Sequence, residues 1–374
     1  MATYDLDDLH LPRLSGWPLK LLSRLLENPL TAALPARRLL RDAGLPALWE
    51  THLDQPPCLL PPVPCSSQKP VSPPIELPAA KGPFNGAGAY TAAYRNGHLT
   101  PEQVAEATLE AIAADNRQAL PLRAFIAVDR NRVLAQAQEA TRRWRQGRPL
   151  GPLDGVPVAV KDELDVVGYG TTLGTAFLGR TPAREDAPAV ARLRAAGAVI
   201  LGKTNMHEIG LGVTGLNVHH GTARNPYHRR HYPGGSSSGS AVAVAAGYCP
   251  LAVGADGGGS IRIPAAFCGL FGLKPTYGRI SPRGSPLPVH TVGSFGPLAA
   301  TSHDLALAYA LMAGPDPDSP ATLGQPPVVL EGPPDLEGVT LGIYRPWFEH
   351  ADPAVVAVCQ RLLTGLQEAG AAAG

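Results

Sequence analysis

Two clusters of small residues and one lysine hold the chemical interest of this chain. The stretch YPGGSSSGSAVAVAAG, residues 232–247, sets Ser236, Ser237 and Ser238 between glycines and then runs into an uninterrupted small and apolar segment. A Gly/Ser spacer normally continues into polar chain with nothing to anchor it. Here Ala241 to Ala246 reads as a buried helix or strand, so the loop is pinned at one end. The second cluster, GADGGGSIRIPAAFCGLFGLKPT, places Gly257, Gly258 and Gly259 directly before Ser260. Consecutive glycines let backbone N–H groups converge beside a hydroxyl, which is the geometry of an oxyanion hole.

A serine is a weak nucleophile at neutral pH and needs a base within hydrogen-bond reach. His207, His219, His220, His228, His231 and His290 are available, but none stands in a G-x-S-x-G elbow. The other candidate is a lysine kept neutral by burial. GVPVAVKDELDVVG puts Lys161 at the end of an apolar strand, where desolvation disfavours the charged form. Without further information a salt-bridged strand-end lysine fits equally well, so the base stays open on these residues alone.

Helices and strands must hold these groups. TPEQVAEATLEAIAAD predicts a helix with Thr100 as N-cap, Pro101 at the first position and Gln103 closing a capping box. VLAQAQEATRRWRQG gives a second helix closed by Gly147, and DAPAVARLRAAGA a third ended by Gly197. GVPVAVKD and VILGKTN read as strands, and the alternation predicts an α/β sheet covered on both faces. Further on, GVTLGIYR reads as a strand and DPAVVAVCQRLLTGLQEAG as a helix opened by Asp352 and Pro353. A strand followed by a helix usually returns to the sheet, and no returning strand is legible before Gly374, so the C-terminus reads as truncated.

Near the N-terminus, Leu19, Leu22, Leu25, Leu26 and Leu30 recur at helical spacing with Lys20 and Arg24 opposite, an amphipathic pattern punctuated by Pro18, Pro29 and Pro35. It suits helices docked on the main domain or helices lying on a membrane surface. The proline-dense residues 56–83 read as an extended connector. The expected organisation is an N-terminal helical extension (1–55), this connector, and a main domain (84–374) incomplete at its C-terminal end.

Composition narrows the function classes. A net charge of +1 provides no field to attract nucleic acid. Five scattered cysteines without a CxxC pair suggest neither a disulfide framework nor a zinc site, and point to a reducing, cytoplasmic setting. No secretory signal and no run of ~18 apolar residues is visible. Glycine (41) and proline (40) are both well above their usual shares, which favours tight turns and close backbone approaches.

Taken together, GGSSSGSAVAVAAG, GADGGGSIRIPAAFCGLFGLKPTYGR and DGVPVAVKD resemble the amidase signature enzymes, serine hydrolases with a Ser–Ser–Lys triad. Lys161, Ser236 and Ser260 stand 75 and then 24 positions apart, in the family's register, and the resemblance runs from about residue 85 to 345. It implies an α/β amidase-signature fold, a central mixed twisted β-sheet with helices on both faces. It implies Ser260 as the acylating nucleophile, Ser236 as a bridging serine after a cis peptide, and Lys161 as the base. Gly257, Gly258, Gly259 and Ser260 would supply oxyanion amides, with Asp256 and Arg262 bracing that loop. Met206, His207 and Ser237 are expected to line the substrate cleft.

GKTNMHEIGLGVTGLNVHHGTARNP and the N-terminal LPRLSGWPLKLLSRLLENPL are similar to the plant-type fatty acid amide hydrolases, which implies a long-chain N-acyl amide as the small-molecule partner and no cofactor. Peripheral membrane contact through the N-terminal helices and a homodimer stay open. So do a glutaminase subunit of a tRNA-dependent amidotransferase and a truncated, non-catalytic remnant. Weaker signals carry less. Gly210, Gly212 and Gly215 form a G-x-G-x-x-G with no helix behind it, MHE at 206–208 lacks a second metal-binding histidine, and His219-His220 has no carboxylate at ligand spacing. Cys249 and Cys268 read as buried small hydrophobes.

Overall fold

A computed structural model describes residues 16–42, 86–286, 292–330 and 336–373. These residues belong to two compact units, one within 1–61 and the other within 62–374. The first unit contains helices α1 (Trp17–Glu27) and α2 (Ala33–Asp42). Pro18 sits in the opening turn of α1, where a missing N–H costs nothing. Leu19, Leu25 and Leu30 of the leucine pattern are exposed. The connector at 56–83, Cys58, Cys65 and His290 lie outside the described residues.

The second unit opens with α3 (Ala87–Arg95), α4 (Pro101–Asn116), β1 (Phe125–Ala127), α5 (Arg130–Arg145) and β2 (Pro157–Lys161). There follow α6 (Pro188–Ala195), β3 (Val199–Thr204), α7 (Ser238–Ala245), β4 (Leu251–Asp256) and α8 (Arg262–Phe267). Next come β5 (Phe271–Gly272), β6 (Ser294–Ala299) and α9 (Ser302–Met312). The expected capping box forms: Thr100 Oγ1 accepts from Gln103 N–H at 3.2 Å, and Gln103 Oε1 accepts from Thr100 N–H at 2.9 Å.

Six strands form one mixed sheet in the order β1-β3-β2-β4-β6-β5. The central trio β3, β2 and β4 is parallel, while β1, β6 and β5 run antiparallel to their neighbours. Successive side chains on a strand point to opposite faces. Val158, Val160, Ile200, Leu251 and Val253 therefore enter a core shared with α6 and α9, through residues such as Leu193 and Leu307. Ala159, Val199, Leu201 and Ala252 enter a second core shared with α4, α5 and α7, through Leu109, Val133 and Val242. Burial on both faces explains why these strands read as continuous apolar runs.

Two contacts bring α7 to the sheet at close range. Gly239 N–H donates to Asn205 O at 2.8 Å, and a Cβ on Gly239 would lie 2.2 Å from Ala124 O and 2.4 Å from Asn205 N. Only glycine fits there, which accounts for the glycine that interrupts the serine run.

The expectation that no strand returns after the last helix needs correcting. After β7 (Thr340–Leu341) and α10 (Arg345–Glu349), helix α11 (Pro353–Glu368) starts as anticipated, with the Asp352 carboxylate accepting from Ala354 N–H at 2.9 Å. The chain then returns in β8 (Ala372–Ala373), which pairs in parallel with β7. Alanines carry almost no strand signal, so this return was invisible in the sequence. It builds a separate two-stranded ribbon, not an addition to the main sheet.

Candidate active site

The parallel strands β2 and β4 are neighbours in the sheet; Lys161 closes β2, and the loop carrying Ser260 follows β4. Lys161 is the last residue of β2 and is fully buried. Its Nζ donates to Ser236 Oγ at 2.8 Å and to Ala255 O, near the end of β4, at 3.2 Å. The 75-residue separation thus closes into direct contact. Ser236 lies on the loop before α7, behind a cis peptide bond between Gly235 and Ser236. His207 N–H donates to Ser236 O at 3.0 Å, which ties this loop to the segment after β3.

Ser260 follows β4 and sits at the edge of exposure. Its carbonyl accepts from Ser237 N–H at 3.0 Å, so the two serine loops are stitched together through the backbone. No hydrogen bond among the described residues joins the Ser236 and Ser260 hydroxyls directly.

Asp256 organises the glycine loop. One carboxylate oxygen accepts from Gly259 N–H (2.7 Å) and Arg262 Nη2 (3.0 Å). The other accepts from Ile261 N–H (3.1 Å), Arg262 N–H (3.3 Å) and Arg262 Nε (3.0 Å). Burial by itself would raise this carboxyl, but Arg262 and the backbone donors outweigh it and hold Asp256 at about 2. Asp256 and Arg262 do pair, where the bracing role requires them. The Gly259 expectation fails on the same geometry, because its N–H is spent on Asp256. Of the expected oxyanion amides, those of Gly257, Gly258 and Ser260 are not engaged by Asp256.

A cleft of about 500 Å³ opens over these groups. Lys161, Glu163, Ser236, Gly257, Gly258 and Ser260 lie at its polar end, and Ile209, Leu211, Pro282, Val292 and Phe295 along its apolar walls. The cleft residues expected from sequence are placed otherwise. Met206 is fully buried behind the wall, against the turn at Gly174. Ser237 is buried between α7 and β4, where its Oγ donates to Ala255 O at 3.2 Å. His207 packs its ring on Gly212 inside its own loop, where no Cβ would fit. Burial, partly opposed by Glu208, pushes the His207 imidazole down, and neighbouring Lys161 adds to that. None of the histidines in the described residues lines the cleft.

The G-x-G-x-x-G is loop packing: besides Gly212 under His207, Gly215 has φ +77° and abuts Ser238 and Gly234. Glu208 Oε1 lies 2.8 Å from His219 Nε2, a carboxylate partner that residue spacing had not supplied. Cys249 and Cys268 are buried, and burial pushes both thiols up to about 12.

Sequence reasoning missed two features beside Lys161. Glu163 Oε2 stands 2.7 Å from Lys161 Nζ, because a tight turn closed by Leu164 N–H to Lys161 O (3.1 Å) folds Glu163 back over the strand end. Immediately beneath, Asp162 and Lys203 form a fully buried ion pair at 3.1 Å. Asp162 also accepts from the N–H groups of Thr172 (3.1 Å) and Gly174 (3.0 Å) and so fixes the following loop. The run Lys-Asp-Glu is the only sequence signal for either.

Comparison with known proteins places the chain in a family. The family model described as Amidase matches residues 103–373. The chain belongs to the amidase signature family. A fatty acid amide hydrolase of Arabidopsis thaliana is 35% identical over 96% of this chain and 65% of its own length. AtzE, a 1-carboxybiuret hydrolase subunit of Pseudomonas sp. (strain ADP), is 43% identical over 70% of this chain and 58% of its own length. The native peptide amidase of Stenotrophomonas maltophilia superposes with a TM-score of 0.68 at 34% identity, covering 77% of this chain and 61% of that one. The chain therefore spans less than two thirds of the length of these relatives.

Proposed function

We propose that this chain hydrolyses carboxylic amides through an acyl-enzyme on Ser260. The observation that carries this reading is the 2.8 Å contact from Lys161 Nζ to Ser236 Oγ at the polar end of the cleft that also holds Ser260. Lys161 takes the proton of Ser236 as Ser236 takes that of Ser260, and Ser260 Oγ attacks the amide carbonyl. The amides of Gly257, Gly258 and Ser260 receive the developing oxyanion. Ser236 then protonates the departing amine, and water attacks the acyl-enzyme by the reverse relay. No step calls on a cofactor.

The apolar walls favour an acyl group without charge, and Ile209, Leu211, Val292 and Phe295 suit an alkyl or aryl chain. The relationship to a plant fatty acid amide hydrolase supports the same choice. A glutaminase subunit is the second reading, favoured by 42% identity to a glutamyl-tRNA(Gln) amidotransferase chain of Symbiobacterium thermophilum. Turnover of N-acyl p-nitroanilides of increasing chain length, beside glutamine, separates the two. Rising kcat/KM with chain length and no ammonia from glutamine are expected, while glutamine hydrolysis alone would reverse the assignment. Contact of the N-terminal helices with a lipid surface belongs to the same proposal. Among the described residues no helix is long and apolar enough to cross a membrane.

A further inference from the structure

Lys161 Nζ donates to Ser236 Oγ at 2.8 Å and to Ala255 O at 3.2 Å, and it forms an ion pair with Glu163 Oε2 at 2.7 Å. Two oxygens that accept from the nitrogen and one carboxylate beside it suit a positive charge on this side chain. The Lys161 side chain is 1% exposed and that of Glu163 9%, so water does little to stabilise a cation formed there. The relay creates that cation when Lys161 accepts the proton of Ser236.

We infer that Glu163 is a positioning residue for the base. Its carboxylate orients the Lys161 amine toward Ser236 and stabilises the ammonium that appears as the proton leaves the two serines. This is the role the acid plays toward histidine in a Ser–His–Asp triad, where the carboxylate stays ionised and the proton stops on the base. The proton balance is the same here. Ser260 loses its proton to Ser236, Ser236 passes its own to Lys161, the negative charge moves to the substrate oxygen, and Glu163 keeps its charge. The inference rests on the proposed amide hydrolysis.

Other charged groups near the pair are already engaged. Asp162 of the same turn faces Lys203 on β3. Asp256, at the end of β4, is held by Arg262. His207, from the loop after β3, is near enough to feel Lys161, and Glu208 beside it pairs with His219. Glu163 is thus the carboxylate in direct contact with Lys161 among the described residues.

The test is the rate of fluorophosphonate labelling of Ser260 against pH for the wild type, Glu163→Gln and Glu163→Asp. Loss of the carboxylate makes the ammonium harder to form, so the acid limb of the Glu163→Gln profile is expected to move down by about one pH unit. The plateau rate should fall several-fold, and Glu163→Asp should restore the limb toward the wild-type position. A uniform loss at every pH, or an unmoved limb in a folded Glu163→Gln protein, would overturn the inference. If Glu163→Gln does not fold, Glu163→Ala takes its place with the same expected and refuting results. Because the probe reads Ser260 directly, an unlabelled wild type would count against the amidase reading itself, whereas labelling without a shift counts against Glu163 alone.

Discussion

Replacing Asp256 by Asn removes the charge that holds the glycine loop before Arg262 while keeping nearly the same shape. The native carboxyl is held at about 2 against an ordinary value of 3.8. Since a depressed native pKa means the ionised form binds the fold better, the resulting stability is present above about 4 and is lost as pH falls through about 2. The difference corresponds to about 2 kcal/mol at neutral pH, about half of it remaining at pH 3 and little at pH 2. Asp256 is itself buried, so solvent screening takes little from this figure, although Arg262 is more than half exposed. Urea unfolding of the wild type and Asp256→Asn at pH 7, 5, 4 and 3 is the assay. The stability gap should be about 2 kcal/mol or more at pH 7 and narrow steadily below pH 4. A gap that stays constant down to pH 3, or widens, would refute the assignment of this carboxylate as an ionised brace.

Two further outcomes follow from other contacts in the structure. Lys203→Met strands Asp162 as a buried, uncompensated charge and should cost about 3–5 kcal/mol; pairing it with Asp162→Asn should recover part of that in a double-mutant cycle of urea midpoints. Gly239→Ala drives a methyl into Ala124 O and Asn205 N and should destabilise by about 3 kcal/mol or prevent folding, measured against the control Gly342→Ala, where nothing lies within 4 Å and φ is ordinary.

What the sequence showed depended on how local each signal was. The capping box at Thr100 and Gln103, the helix stop at Gly197 and the strand ending in Lys161 are written within a few consecutive residues, and each stands where expected. Lys161, Ser236 and Ser260 were singled out through the register of their motifs, and the fold brings Lys161 at the end of β2 into contact with Ser236 on the loop before α7. The cleft walls were misassigned to Met206 and Ser237 because a residue next to a catalytic motif is as easily turned into the core as toward solvent. Ile209 and Leu211, a few positions on, reach the cleft instead. Glu163 escaped notice because strand alternation stops at Lys161, and a turn, not the pleat, brings the carboxylate back. Lys203 and Asp162 meet only through the pairing of β3 with β2, which no local pattern encodes.

Incubating the folded protein with a fluorophosphonate and locating the adduct by peptide mass spectrometry asks directly whether a lysine-activated serine is assembled. An adduct on Ser260 that disappears in Lys161→Ala and Ser236→Ala proteins of unchanged melting temperature is the expected result. An unmodified Ser260 in folded wild type, or equal labelling without Lys161, would contradict the relay and leave the chain as a non-catalytic member of its family.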